Sequence, residues 1–445
     1  MADTIYALAS GGGRSGVAVV RISGRQALNV LSIMGVENPE PRYALLRNLK
    51  NPKDNSVLDN TLVLYFNAPH SFTGEDVVEI HLHGSKAVLS ETFSVLEDIQ
   101  GVALAQPGEF SKRAFENGKM DLTGAEGLID LINSETHAQM KQAQRQAVGE
   151  LGTLYNGWAD KIIPLLAHYE AYIDFPDEDL PESLSQEALS KIGGIMHVIE
   201  HHLADNNRGE RLRDGIQVAV VGSPNAGKSS LVNTLAKRDV AIVSDTAGTT
   251  RDVIEVSLDM AGYPVRLFDT AGIRDSSDEI EVEGIKRAIT TAQSADIILL
   301  IIDASNTLIT QDSIDKSIAE LGNNTAPVIV LANKCEKQSY RVPIADNVFA
   351  VSMTNAFGLD VFLSHLQSVV LDCFGMTGDP VITRARHREA LVDCNHALQR
   401  ALNAPEAELI AEDLRVAVRC IGRITGQIDV EELLDIVFND FCIGK

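Results

Sequence analysis

Hydrophobic and polar positions change period three times along the 445-residue chain. Over residues 4–24 apolar and small residues alternate around glycines, and "NTLVLYF" (60–66) and "DVVEIHLH" (76–83) carry the β-branched, period-two pattern of strands. Residues 1–118 therefore read as an α+β domain. Across 119–214 apolar residues recur every three or four positions, with no proline before Pro164, which predicts a long helical segment. Across 215–372 the strand-like runs "IQVAVV", "VRLFD", "ADIILLIID", "APVIVLAN" and "NVFAVS" alternate with loops and helical stretches, as in a doubly wound α/β domain. Residues 373–445 return to helix-forming sequence, up to "VEELLDIVFNDF". Because helical sequence flanks the α/β block on both sides, the expected architecture is one helical domain in two segments with an α/β domain inserted into it.

The strand ends of the α/β block carry the chemistry. "GSPNAGKS" (222–229) fits G-x-x-x-x-G-K-[ST] between the strand "IQVAVV" and the helical "SLVNTLAKR", the context the motif requires. Its glycines let backbone N–H groups close around a β-phosphate, Lys228 offers charge to the β and γ oxygens, and the Ser229 hydroxyl suits Mg²⁺. Four further signals follow in GTPase order: "AGTTRD" (247–252) with Thr250, "DTAG" (269–272) with Asp269 as the carboxylate of the second phosphate-site motif, "NKCE" (333–336) and "SMT" (352–354). The last two should form the base pocket.

Two positions depart from the common GTPase pattern. The guanine-reading acid is Glu336, one methylene longer than the usual aspartate, and the residue after "DTAG" is the apolar Ile273 rather than a water-orienting glutamine. The acidic stretch 274–284 offers Asp278, Glu279, Glu281 and Glu283 for that task. Asn225 is placed to put a side-chain oxygen near the phosphates, where a monovalent cation would serve as an arginine finger does elsewhere.

Composition narrows the picture. A formal net charge of -24 and a pI near 4.8 argue against broad, nonspecific nucleic-acid binding, so any such contact must come from a local patch. The densest basic cluster, "RARHR" (384–388), reads either as a phosphate patch or as a solvated helix face. The five cysteines (335, 373, 394, 420, 442) form no CxxC pair, and reduced thiols are expected. The longest aliphatic run, "IILLII" (297–302), is far short of a bilayer span, and the start lacks a signal-like stretch; a cytoplasmic protein without membrane contact is expected. "GGGRSG" (11–16) precedes a strand rather than a helix, which disfavours dinucleotide binding, and the two histidines of "HLH" (81–83) lack a third zinc ligand at suitable spacing.

From end to end the chain resembles the MnmE (TrmE) family of tRNA-modification GTPases. The resemblance rests on "VAVVRISG" (17–24), "SFTGEDVVEIHLHG" (71–84), "QPGEFSKRAFENGKMDL" (106–122), "YIDFPDED" (172–179), the GTPase strings and the terminal "FCIGK" (441–445). It implies an N-terminal folate-binding domain that also forms a homodimer, a helical domain, and an inserted Ras-like G domain. It further implies K⁺-stimulated GTP hydrolysis and a heterotetrameric complex with the FAD-dependent MnmG. The pair would act on carbon 5 of the wobble uridine of certain tRNAs, with a one-carbon unit from 5-formyl or 5,10-methylene tetrahydrofolate.

Residue by residue, the resemblance assigns K⁺ to Asn225, Ser244, Thr246 and Thr249, and Mg²⁺ to Ser229 and Thr250. GTP or GDP would be held by Asn225, Ala226, Gly227, Lys228, Ser229 and Ser230, by Ser244, Asp245, Thr246, Ala247, Gly248, Thr249 and Thr250, by Asp269, Thr270, Ala271 and Gly272, and by Asn333, Lys334, Glu336 and Ser352. Glu281 aligns with the water-orienting catalytic glutamate. The folate contacts fall on Arg21, Glu79, Lys119 and Lys445, and the last helix would dock on the folate domain and bring up Cys442 and Lys445. Cys442 is then either a participant in the tRNA chemistry or a packing thiol. A ribosome-assembly GTPase without tRNA chemistry is the alternative; such proteins append a basic RNA-binding module, whereas this C-terminal region is acidic.

Overall fold

The computed structural model describes residues 3–174, 182–205, 207–238, 240–242, 255–269, 293–305, 309–319, 321, 325–336, 347–375, 378–428, 434, 437–439, 441, 443 and 444, with only the backbone at 182–185, 255 and 269. The N-terminal elements are β1 (Thr4–Leu8), β2 (Ser15–Gly24), α1 (Ala27–Ile33), β3 (Leu45–Lys50), β4 (Val57–Phe66), β5 (Val77–Gly84), α2 (Lys86–Glu97), β6 (Val102–Leu104) and α3 (Glu109–Glu116). Helices α4 (Leu122–Asn133), α5 (His137–Ala147), α6 (Glu150–Asp174), α7 (Glu182–Leu203) and α8 (Arg208–Asp214) follow. Next come β7 (Ile216–Gly222), α9 (Lys228–Leu235), β8 (Glu255–Met260), β9 (Tyr263–Asp269), β10 (Ile297–Asp303), α10 (Gln311–Ala319), β11 (Val328–Asn333), β12 (Val348–Ala350) and α11 (Leu359–Phe374). The described chain closes with α12 (Ala385–Asn403) and α13 (Ala407–Thr425).

Two compact units result. One holds 1–129, 145–197 and 390–445; the other holds 130–144 and 198–389. Both units are discontinuous along the chain.

In the first unit a six-stranded sheet runs in the order β3-β4-β5-β2-β1-β6, antiparallel except where β6 joins β1. Period-two alternation decides its faces: Val20, Ile22, Val78, Ile80 and Leu82 point into one core with Tyr6, Leu31, Leu49 and Leu96. Burying this many aliphatic side chains, each worth roughly 1.5–3 kcal/mol, pins the strand register, since a one-residue slip would turn them all to solvent. In the same unit α6 packs along α13, burying Leu151, Tyr155, Trp158 and Ile162 on one helix and Leu414, Ala417, Ile421 and Ile424 on the other. The chain's end is docked as well. Val437, Phe438 and Phe441 are buried with Leu122, Ala125 and Ile129, and Ile443 bridges to Pro107.

Between α4 and α6 the predicted long helical segment is broken twice. Thr136 and Gln139 form a reciprocal cap: Gln139 N donates to Thr136 Oγ1 (3.4 Å) and Thr136 N donates to Gln139 Oε1 (3.1 Å), so a new helix, α5, starts here. Gly149, at φ +88°, supplies the left-handed turn between α5 and α6.

The second unit holds a sheet in the order β12-β11-β10-β7-β9-β8, parallel except for β8 against β9. Alternation again fixes both faces. Val218, Val220, Leu299 and Ile301 join α9 and α11 on one side, while Ala219, Val221, Ile298 and Leu300 meet Ile314 of α10 on the other. Strands buried on both faces explain the unbroken "IILLII".

The "RARHR" cluster is neither a phosphate patch nor a solvated face. Arg384 pairs with Asp130 at 2.7 Å, and Arg388 pairs with Asp205 at 2.7 Å and Glu210 at 3.1 Å while donating to Leu203 O. These half-buried guanidiniums are committed to carboxylates within the second unit, and His387 between them is buried.

Candidate nucleotide and folate sites

The phosphate loop lies between β7 and α9, at the C-terminal edge of the parallel strands, where ligands bind in doubly wound sheets. Asn225 (φ +63°) and Gly227 (φ +111°) take left-handed conformations on either side of Ala226, the kind of turn from which anion-binding backbone nests are built. Lys228 is buried, its Nζ donating to Gly222 O at 2.8 Å and Ser223 O at 3.0 Å, so its charge is held against the loop's own carbonyls. Ser229 follows at the start of α9, in position for a cation beside the phosphates.

The base loop is tied to the phosphate loop by one buried bond. Asn333 Nδ2 donates to Ala226 O at 2.8 Å, and a Cβ on Gly227 would stand only 2.1 Å from that nitrogen. Lys334 adopts φ +67° and its Nζ reaches Asp303 Oδ2 at 2.5 Å. Burial pushes the Asp303 carboxyl up, but the Lys334 ammonium and the Ser305 hydroxyl and amide outweigh it and hold the group below the usual carboxylate range. Val351 N donates to Ala332 O at 2.8 Å and Cys335 N to Val351 O at 3.3 Å, which locks 333–336 beside 351–352. Burial raises the Cys335 thiol, which donates to Ala332 O at 3.1 Å.

Two buried atoms in this frame, Asn333 Oδ1 and Ser352 Oγ, have no hydrogen-bond partner among the described residues. Buried polar atoms are rarely left so, and a site for a polar ligand accounts for both. Ser244, Asp245, Thr246, Ala247, Gly248, Thr249, Thr250, Thr270, Ala271, Gly272 and Glu281 lie outside the described residues, and of Asp269 only the backbone at the end of β9 is described.

In the first unit, Arg21 and Glu79 face each other as a cross-strand pair on β2 and β5. Arg21 Nε and Nη2 both donate to Glu79 Oε1, at 3.0 and 2.9 Å, and His81 Nε2 lies 3.7 Å from Glu79 Oε2. The Arg21 guanidinium also lies 5.4 Å from the Phe72 ring centroid and 5.8 Å from that of Phe110. Lys119 is exposed; a Cβ at Gly74 would stand 3.1 Å from its Cε. The tail comes to the same sheet, since a Cβ at Gly444 would meet Leu8 O at 2.1 Å and Leu8 is one register step from the residue opposite Arg21. Cys442 and Lys445 lie outside the described residues. A guanidinium, a carboxylate and flanking rings suit a flat, amide-rich ligand that also carries carboxylates.

Sequence reasoning passed over the supports of both sites. Phe72 and Phe110 flank Arg21, while Glu75 accepts from Ser23 Oγ (2.7 Å) and from the buried Arg113 (3.1 Å), fixing the 71–76 loop. For Asp303 a signal existed: it is the carboxylate that closes the β10 aliphatic run at the ligand edge of the sheet.

A doubly wound sheet whose first strand leads through G-x-x-x-x-G-K-S into a helix, cross-tied to an N-K-x-E loop two strands away, defines a P-loop GTPase. The family models for the "GTP-binding protein TrmE N-terminus" and the "MnmE helical domain" match residues 4–119 and 122–442. The tRNA modification GTPase MnmE of Rhodospirillum rubrum is 48% identical over 456 aligned positions, covering 100% of this chain and 99% of that protein. Its counterpart from Parvibaculum lavamentivorans is 46% identical, covering 100% of both. The chain belongs to the MnmE family of tRNA modification GTPases. Among the described residues no helix is long and apolar enough to cross a membrane.

Proposed function

We propose that this chain hydrolyses GTP in the modification of carbon 5 of the tRNA wobble uridine, working as a homodimer with the FAD-dependent MnmG and a tetrahydrofolate one-carbon donor. The observation that carries the nucleotide half is the buried Asn333–Ala226 bond, which joins the phosphate and base loops into one receptor. End-to-end likeness to proteins named for tRNA modification supports the rest.

In this reading the phosphate-loop amides and Lys228 hold the β and γ oxygens, and Asn333, Lys334 and Glu336 hold the base. Ser229 and Thr250 would hold Mg²⁺, and Asn225, Ser244, Thr246 and Thr249 would hold K⁺; both ions supply positive charge at the phosphates. Asn225 is exposed within the phosphate loop, in a left-handed conformation at φ +63°, which is compatible with such a role. Glu281 orients the attacking water. Arg21, Glu79, Lys119 and Lys445 bind the folate, and Cys442 takes part in the tRNA chemistry.

Nucleoside analysis of tRNA from cells lacking the protein tests this. Loss of the wobble modification is expected, and unchanged wobble uridines would overturn it. GTP turnover in K⁺ should exceed that in Na⁺; equal rates would remove Asn225 from its assigned role.

A further inference from the structure

We propose that Asp303, which lies outside the GTPase motifs, is a positioning residue of the base pocket and holds Lys334 in place for guanine. The proposal rests on the assignment of 333–336 to the base. Lys334 stands in a left-handed conformation, φ +67°, which a lysine keeps only where its surroundings hold it. Its side chain is also among the costliest to order, so a lysine that met the base untethered would give up affinity for that order.

The tether comes from the neighbouring strand. Asp303 closes β10 opposite Asn333, the last residue of β11, and Ala304 N donates to Asn333 O at 2.8 Å. Lys334 is the next residue, and its Nζ donates to Asp303 Oδ2 at 2.5 Å. The other carboxylate oxygen is fixed as well: Oδ1 accepts from Ser305 N at 2.9 Å and from Ser305 Oγ at 2.6 Å. With the lysine and aspartate side chains 24% and 19% exposed, water screens the pair less than it screens a surface pair. Asp303 and Ala304 thus grip both residues of the N-K pair, and Asn333 carries the grip on to the phosphate loop through Ala226 O.

The test is equilibrium binding of fluorescent GDP to the full chain, with GTPase kinetics and melting of the nucleotide-free protein alongside. Asp303→Asn keeps an oxygen for Ser305 but turns an NH₂ donor toward the Lys334 ammonium, so the turn survives and the tether is lost. GDP should bind about 3- to 10-fold more weakly, the size of one partly screened hydrogen bond between charged groups. KM for GTP should rise by the same factor, kcat should stay within about twofold, and the melting temperature should move by less than about 2 °C. In a Lys334→Met background there is no ammonium to hold, and Asp303→Asn should weaken GDP no further. If Lys334→Met weakens GDP but Asp303→Asn does not, the positioning role is overturned and the base assignment stands. The role is equally overturned if Asp303→Asn costs as much in the Lys334→Met background, or if its melting temperature falls by more than about 5 °C, either of which makes Asp303 a support of the fold. If Lys334→Met leaves GDP binding unchanged, the base assignment itself fails.

Discussion

Substituting Gly444 by alanine tests whether the docked end of the chain serves chemistry or merely stability. Gly444 sits at φ +104°, and a Cβ there would stand 2.1 Å from Leu8 O and 2.9 Å from Leu8 C, backbone atoms that cannot swing aside. An L-residue in such a conformation costs roughly 1–2 kcal/mol, and the contact with fixed backbone adds a similar amount. Against that, among the described residues the Pro107–Ile443 bridge holds Ile443 with a net of about 1 kcal/mol. The tail should therefore release beyond Phe441 instead of unfolding the domain, because Phe438 and Phe441 keep their burial of 3% and 4% exposure. Melting should shift by less than about 2 °C, carboxypeptidase should gain access to the terminus, and GTP turnover should stay within about twofold. The wobble modification, followed by liquid chromatography and mass spectrometry of tRNA nucleosides, should fall at least about tenfold. Full modification by a variant with a released tail would refute the reasoning, and so would a large drop in melting temperature, which would make the tail part of the cooperative core.

Gly227→Ala forces a Cβ against Asn333 Nδ2 and breaks the tie to Ala226; titration with fluorescent GDP should show affinity lower by about 10- to 100-fold. Phe438→Ala empties a site lined by Phe115 and Phe441 and should cost about 3–5 kcal/mol in urea unfolding of the first unit. Burial lowers the His202 pKa to about 4, with Asp205 opposing and Arg388, His387 and His201 assisting. The unfolded chain therefore binds a proton near pH 6.5 that the folded one refuses until about pH 4, so this contribution is complete above pH 6.5 and is lost as pH falls through that window, by at most about 3 kcal/mol. His202→Gln should flatten the stability profile of the second unit between those pH values.

What the sequence makes legible is what depends on short stretches of backbone. "GSPNAGKS" is readable because an anion-binding turn needs glycine and a lysine within eight consecutive positions, and β7, β10 and β11 are readable because strands buried on both faces are aliphatic nearly throughout, whereas the edge strand β8, "EVSLDM", carries no such run and goes unpredicted. Contacts far apart in the chain are not readable in that way. Asn333 bonds Ala226 across 107 positions, and Arg21 meets Glu79 across 58 through a strand register that no local pattern declares. "RARHR" misled for the same reason: its partners Asp130 and Glu210 lie on α4 and α8, and Asp205 in the connection between α7 and α8. The break at Thr136 has a local signal, since T-x-x-Q is a capping signature, which the apolar period alone does not reveal.

The interrupted course of the first unit has a consequence for synthesis. All strands and α9 to α11 of the second unit's sheet have left the ribosome once residue 374 has emerged, so that sheet can form while the chain is still growing. The first unit cannot finish then: α6 waits for α13, and Leu122, Ala125 and Ile129 wait for Phe438 and Phe441, more than 300 residues later. Until the last residues arrive, these apolar faces are exposed on a nascent chain, which makes the C-terminal end the closing piece of assembly and the stage at which this protein is most open to misfolding and to chaperones.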